Sequence, residues 1–143
     1  MSIKKKKMRS LAYIVSLFMV IALFVLSGCT KEEGEGLEGV FTGTFNRVGP
    51  TVRAGQADVT LYLANGKFSG TSSREQFPAI CSGTFSLKGG QITAKNACFF
   101  TANFDWTLIL DGTFTYELSG DRLILQRSYE EGVYDRYELR RDQ

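Results

Sequence analysis

Short stretches rich in Thr, Phe, Tyr, Leu and Val fill the chain from Val40 onward, and glycine turns separate them about every eight to twelve residues. No stretch keeps a helical period for three turns, and the spacing is typical of a β-sandwich or a β-barrel. The pattern therefore predicts an all-β domain. The nine candidate strands are 40–47, 57–64, 67–73, 79–87, 91–98, 103–109, 113–118, 122–129 and 133–141.

The turns also determine which side chains share a face, because a register shift of one residue turns every side chain of a strand over. Loops of favoured length put the apolar residues of five hairpins on one face. These loops are Asn65-Gly66, Gly89-Gly90, Leu110-Asp111-Gly112, Gly120-Asp121 and Glu130-Glu131-Gly132. The predicted pairs are Leu63 with Phe68, Leu61 with Gly70, Leu87 with Ile92, Phe85 with Ala94, Leu108 with Phe114, Trp106 with Tyr116, Leu118 with Leu123, Tyr116 with Leu125, Leu125 with Tyr137, Leu123 with Leu139 and Arg127 with Asp135.

Consecutive hairpins with one buried face form an antiparallel up-and-down meander. A flat meander would leave long edges exposed, and closure into a single barrel of about eight to nine strands removes them. A two-sheet sandwich is the alternative. Periodicity alone does not separate the two.

The N-terminal residues have the organisation of a secretory signal peptide. Its parts are a basic start at Lys4, Lys5, Lys6, Lys7 and Arg9, an apolar run over 11–26, and the small residues Ser27 and Gly28 before Cys29. We therefore expect removal of residues 1–28, attachment of lipid to the Cys29 thiol, and a flexible tether over 29–38. An uncleaved membrane anchor is the alternative, because the apolar run is just below the usual spanning length.

The first residues of the tether indicate where in the cell the protein is located. Lys31-Glu32-Glu33, directly behind Cys29, resembles the short Lys-acidic signal that directs some lipoproteins of anaerobic Gram-negative bacteria to the cell surface. The resemblance implies a lipid-anchored protein of the outer membrane that faces the cell surface. A periplasm-facing position is the alternative.

Export also bears on the two remaining cysteines, because an oxidising compartment favours disulfides. Counting outward from Gly89-Gly90 places Cys81 opposite Cys98 in a non-hydrogen-bonded pair, with Cα atoms about 4.5 Å apart. That distance is within disulfide reach. We therefore predict a Cys81–Cys98 disulfide, with two free buried thiols as the alternative.

Charge and composition exclude several functions. Removing residues 1–28 takes away five of the 17 basic residues and none of the 15 acidic ones, so the mature chain has a net charge of −3 and no basic stripe for nucleic acid. There is no histidine, the usual metal ligand and general base at neutral pH. In the predicted register Asp105 points away from the apolar face. We therefore expect no enzyme activity, no metal site and no cofactor.

Two segments resemble the small lipocalin-like lipoproteins of anaerobic Gram-negative bacteria: FPAICSGTF over 77–85 and NACFFTANFDWTLIL over 96–110. The resemblance covers nearly all of 39–143 and implies an up-and-down barrel domain there. Gly39-Val40-Phe41 stands where lipocalins have Gly-x-Trp, and the loop 48–57 stands where the lipocalin lid lies. Fold resemblance alone does not establish a ligand.

Aromatic residues dominate the predicted inner face: Phe41, Phe45, Phe68, Phe85, Phe104, Trp106, Phe114, Tyr116 and Tyr137. An eight-stranded barrel either packs its interior or holds one small ligand. One hypothesis is a small apolar or amphipathic ligand in the barrel mouth; its candidate contacts are Phe68, Phe104, Trp106, Phe114, Tyr116 and Tyr137. The alternative is a solid barrel that acts as a protein-interaction or inhibitor module through its loops.

Overall fold

The computed structural model describes residues 37–50, 55–101 and 103–143. The predicted signal peptide 1–28, the lipid site at Cys29 and most of the predicted tether lie outside these residues. So do residues 51–54 of the predicted lid. The three long described stretches contain the whole barrel.

Eight antiparallel strands close into one up-and-down barrel in which each strand pairs with the next and the last pairs with the first. The strands are β1 Gly39–Val48, β2 Gly55–Ala64, β3 Lys67–Ser72, β4 Ser82–Lys88, β5 Gln91–Asn96, β6 Gly112–Ser119, β7 Arg122–Ser128 and β8 Tyr134–Arg141. Closure is made by β1 and β8, with Phe45 opposite Tyr137. The predicted all-β, single up-and-down barrel is confirmed, and the sandwich alternative is not.

The two ends of the barrel differ because the connections alternate in length. Two-residue turns at Asn65-Gly66, Gly89-Gly90 and Gly120-Asp121 lie at one end, and φ is positive at Asn65 and at all four glycines. We call this the turn end; β1 begins there, and the buried side chain of Leu37 packs into the core. The longer connections 49–54, 73–81, 97–111 and 129–133 lie at the other end, the loop end.

Four of the five predicted hairpins have the predicted register. The structure pairs Leu63 with Phe68, Leu61 with Gly70, Leu87 with Ile92, Phe85 with Ala94, Leu118 with Leu123, Tyr116 with Leu125, Leu125 with Tyr137, Leu123 with Leu139 and Arg127 with Asp135. The pairs beside the two-residue turns follow from those turns, because a two-residue loop allows only one register. β7 and β8 keep the predicted register across the longer connection 129–133.

The fifth predicted hairpin, around Leu110-Asp111-Gly112, is wrong, because residues 103–109 do not form a strand. Residues Trp106–Leu108 form a 3-10 helix, and Asp105 caps it by accepting a hydrogen bond from the backbone N–H of Thr107. Phe114 therefore pairs with Ile92 of β5 and not with Leu108. The predicted pairing of Trp106 with Tyr116 is also absent.

This change moves two aromatic residues off the inner face. Trp106 is 59% exposed and Phe104 is partly exposed, and neither belongs to the core. The other predicted inner-face aromatics do contribute to it: Phe41, Phe45, Phe68, Phe114 and Tyr137 are buried, and Phe85 and Tyr116 pack against them.

The predicted lid is shorter than expected, because β1 and β2 extend to Val48 and Gly55 and leave only residues 49–54 between them. The strand predicted over 79–87 likewise begins only at Ser82. The pairing of β4 with β5 stops at Gly83 and Asn96.

The predicted disulfide is confirmed. Cys81 and Cys98 are bonded, with Cα atoms 6.3 Å apart. The distance exceeds the 4.5 Å expected of a ladder position because both cysteines lie just beyond the end of the β4–β5 pairing. The disulfide therefore joins the two longest of the four connections at the loop end, 73–81 and 97–111.

Candidate functional site at the loop end

The barrel interior is filled by side chains. Among the described residues, an apolar cavity of about 10 Å³ lies between Leu61, Leu63, Phe68, Phe85, Ile92, Ala94, Leu110, Phe114 and Leu125. That volume is about the least that holds one water molecule, and the lining offers water no polar partner. Among the predicted ligand contacts, Phe68, Phe114 and Tyr137 are therefore core residues, and Tyr116 packs against the core.

The loop end is closed by residues 105–111, which we call the plug. Leu108, Ile109 and Leu110 are buried, and Leu110 lines the interior cavity. The backbone of Ala79 holds the plug from the other side: its N–H donates to the carbonyl of Leu108, and its carbonyl accepts from the N–H of Leu110. An apolar ligand entering the barrel from this end would meet these side chains first.

A buried ion pair lies beside the plug. Arg47 of β1 and Asp135 of β8 are only 5% and 1% exposed, and they occupy directly opposite positions in the closing strand pair. Arg47 Nε donates to Asp135 Oδ1 at 2.5 Å, and Arg47 Nη2 donates to Oδ2 at 2.7 Å. Two parallel charge-assisted bonds of this kind are strong and fix the orientation of both side chains.

The same arginine holds the plug. Its Nη1 donates to Asp105 Oδ2 at 2.6 Å and to the hydroxyl of Thr107 at 3.0 Å. Asp105 also accepts from the Thr107 hydroxyl at 2.5 Å, so one carboxylate both caps the short helix and ties it to the barrel. Arg47 thus links the closing strands to the plug.

Arg127 of β7 makes a second set of contacts to the plug. Its Nη1 donates to the carbonyl of Asp111 and its Nη2 to the carbonyl of Thr107, both at 2.5 Å. Its guanidinium lies 4.6 Å from the ring centre of Phe114, inside the barrel. The Tyr129 hydroxyl completes the group, lying 3.1 Å from the Thr107 carbonyl and 2.8 Å from Asp135 Oδ2, to either of which it can donate.

Burial and charge shift the pKa values of this cluster. Burial alone would lower the pKa of Arg47, but the hydrogen bond and charge of Asp135 outweigh it and raise the pKa. Burial alone would raise the pKa of Asp105, but bonds from Thr107 and the charge of Arg47 lower it. Burial, together with the hydrogen bond to Asp135, raises the pKa of Tyr129 to about 12. At neutral pH the favoured forms are therefore the charged guanidinium of Arg47, the carboxylate of Asp105 and the neutral phenol of Tyr129.

Four aromatic residues at the start of the plug and just before it form a group that we call the aromatic tip: Phe99, Phe100, Phe104 and Trp106. Phe104 and Trp106 stack with ring centres 5.6 Å apart and an interplanar angle of 18°, and Phe100 meets Phe104 edge-on at 5.8 Å. Phe99 is 98% exposed. Exposed apolar groups of this kind mark interaction sites in soluble domains.

The predicted ligand contacts therefore do not form one site. Phe68, Phe114, Tyr116 and Tyr137 face the core, whereas Phe104 and Trp106 lie on the aromatic tip. The prediction missed Arg47, although its partner Asp135 was placed on the apolar face opposite Arg127. An inward-pointing arginine next to that face was the available signal, since an unpaired buried charge is not tolerated.

No group of three or more metal-ligating side chains occurs within the described residues. Among those residues, no helix has the length and apolarity to cross a membrane. Fold and site together define a small up-and-down β-barrel with a packed interior and a plugged loop end. The chain matches no protein-family model, no curated protein and no solved structure.

Proposed function

We propose that the chain is an exported lipoprotein, anchored to the outer membrane through Cys29 and facing the cell surface, whose solid barrel is an interaction module that works through its loop end. The observation that supports an interaction module is the contrast between a filled barrel interior and exposed aromatic side chains at the loop end. The interior keeps a cavity of only about 10 Å³, whereas Phe99 and Trp106 are 98% and 59% exposed. Apolar surface available for binding therefore lies outside the barrel.

The anchor rests on the sequence: a basic start, an apolar run and Ser27-Gly28 before Cys29. The direction of β1 supports the combination of anchor and module. β1 begins at the turn end, which is the end of the barrel opposite to the loop end. Fractionation of cells expressing the native chain and Cys29→Ser tests the anchor; we expect membrane association and a fatty-acylated mass only for the native chain.

Site-specific photo-crosslinking tests the module. A photoreactive side chain at position 99 in intact cells should give a discrete adduct, and the same group at Tyr62, an exposed aromatic of β2, should not. Equal labelling at both positions, or none at position 99, would count against an interaction through the loop end.

The second candidate is the binding of a small apolar or amphipathic molecule inside the barrel. One observation favours it: Leu110 of the plug lines the apolar cavity, so displacement of the plug would join the cavity to the barrel mouth. Trp106, the single tryptophan, lies on the plug and would report such a movement. A saturable change in its fluorescence with fatty acids, sterols or bile-salt-like amphiphiles would support this candidate.

A further inference from the structure

We propose that the aromatic tip inserts into the interfacial region of the same bilayer that holds the lipid anchor, so that the protein is attached to the membrane at two points. The inference rests on the proposed function, and it names the partner of the loop end. Three features carry it: the composition of the tip, its fixed base, and the reach of the tether.

The tip is apolar and uncharged. Residues 97–104 contain three phenylalanines and no charged residue. The first charge after them, Asp105, is held by Arg47 at 2.6 Å. Aromatic side chains suit the interface between headgroups and acyl chains, where Trp is enriched and where Phe is a frequent apolar contact of surface-bound segments. The charged residues nearest to them in the 73–81 connection, Arg74 and Glu75, line one groove with Phe100.

The base of the tip is held at both ends before any partner binds. Cys98, directly before Phe99, is bonded to Cys81. At the other end Asp105 is fixed by Arg47 and Thr107. The rings also contact one another through Phe104. The side chains of Phe100, Phe104 and Trp106, which these contacts already order, lose little conformational entropy on insertion, which favours binding.

The tether is long enough to allow both attachments. Leu37 is already buried in the core, so the free tether has eight peptide units from Cys29 to Leu37, which span at most about 26–29 Å when extended. β1 has ten residues, about 33 Å along a strand that is inclined by roughly 35–45° to the barrel axis, so the barrel is about 23–27 Å long. A barrel lying along the membrane surface can therefore keep the anchor and the tip in one bilayer. The anchor also keeps the tip close to that bilayer, at a high effective concentration.

The experiment uses the purified full-length lipoprotein reconstituted into phosphatidylcholine vesicles, with Trp106 as the only tryptophan. We expect a blue-shifted Trp106 emission, quenching by lipids brominated on the acyl chains, and protection from aqueous acrylamide. Phe99→Ser combined with Phe100→Ser should abolish the quenching by brominated lipid. Phe99 is 98% exposed, and Phe100 is partly exposed and outside the core, so the two replacements should leave the barrel folded, as circular dichroism can verify. Tyr62→Ser, which alters an exposed aromatic outside the tip, is the matched control and should keep the quenching.

Free access of acrylamide to Trp106, without quenching by brominated lipid, would overturn the inference. Shielding of Trp106 that requires an added protein and gives no brominated-lipid quenching would overturn it too, because the tip would then bind a protein. The mass of the same sample separates this result from failure of the proposed anchor. An unacylated chain whose Trp106 is still quenched by brominated lipid disproves the anchor and supports insertion of the tip. An acylated chain whose Trp106 is not quenched by brominated lipid supports the anchor and disproves insertion of the tip.

Discussion

Arg47 and Asp135 stand opposite each other across the strand pair that closes the barrel, and their side chains form a buried two-point ion pair. The pair joins the first strand to the last at the loop end. Through Asp105 and Thr107 the same arginine also fixes the plug. Arg47 therefore contributes both to closure of the sheet and to closure of its open end.

Replacing Arg47 by Met should destabilise the fold by about 3–5 kcal/mol, because the buried Asp135 carboxylate loses its two-point partner and keeps only a 3.4 Å ion pair with Arg127. Urea unfolding of the oxidised protein measures the loss. Arg122→Met is the control; it removes an exposed 3.4 Å pair with Glu138 and should cost at most about 1 kcal/mol. The double variant Arg47→Met/Asp135→Leu should recover part of the loss, because the buried carboxylate is removed together with its main partner and only Arg127 loses a 3.4 Å ion pair. Equal costs for the two single variants would contradict this account.

Acid should weaken the attachment of the plug. Because the pKa of Asp105 in the folded protein is lowered from 3.8, its stabilising contribution is complete above that value and is lost as the pH falls through the lowered pKa. The free energy of unfolding, measured by urea at a series of pH values, should therefore fall less between neutral and strongly acidic pH in Asp105→Asn than in the native chain. Parallel pH profiles for the two proteins would argue against a role for this carboxylate.

The disulfide should stabilise the fold by about 3 kcal/mol, because it closes a loop of roughly eighteen residues in the unfolded chain. Cys81→Ser combined with Cys98→Ser should lower the urea midpoint accordingly, without changing the circular dichroism of the strands. Treating the native chain with a reductant should reproduce the shift. A midpoint that responds to neither change would mean that the bond does not constrain the unfolded chain.

Gly83 should not tolerate even a methyl group. A Cβ atom at this position of β4 would lie 2.1 Å from the carbonyl oxygen of Lys95 and 2.6 Å from the buried ring of Phe68. Gly83→Ala should therefore cost at least about 1–3 kcal/mol, as overpacking of a core does. Ser86→Ala, at an exposed position of the same strand, should be close to neutral in the same unfolding assay.

The turns explain why much of the fold was predictable. Asn65-Gly66, Gly89-Gly90 and Gly120-Asp121 each impose a single register, so the pairs beside them followed from the sequence alone. The segment from Phe104 to Leu108 was not predictable in this way, because its alternating apolar residues look like a strand. What decides its conformation is the bonding of Asp105 to Thr107 and to Arg47, 58 residues away.

The loop-end cluster was missed for a related reason. Periodicity identifies apolar faces, and it placed Asp135 and Arg127 opposite each other on the inner face, as the structure has them. It carries no information about which distant side chain neutralises such a residue. The contact between Arg47 and the plug joins residues that are 58 positions apart in the chain.

Amide hydrogen exchange at Ala79 and Leu110 tests the central claim, a solid barrel with a permanently closed loop end, most directly. Both N–H groups donate to carbonyls across the contact between the plug and the 73–81 connection. We predict that they exchange as slowly as the amide of Leu61 in the middle of β2, because opening the plug would expose the core. Fast exchange at Ala79 and Leu110 together with slow exchange at Leu61 would contradict the claim and would indicate a plug that opens while the barrel stays folded.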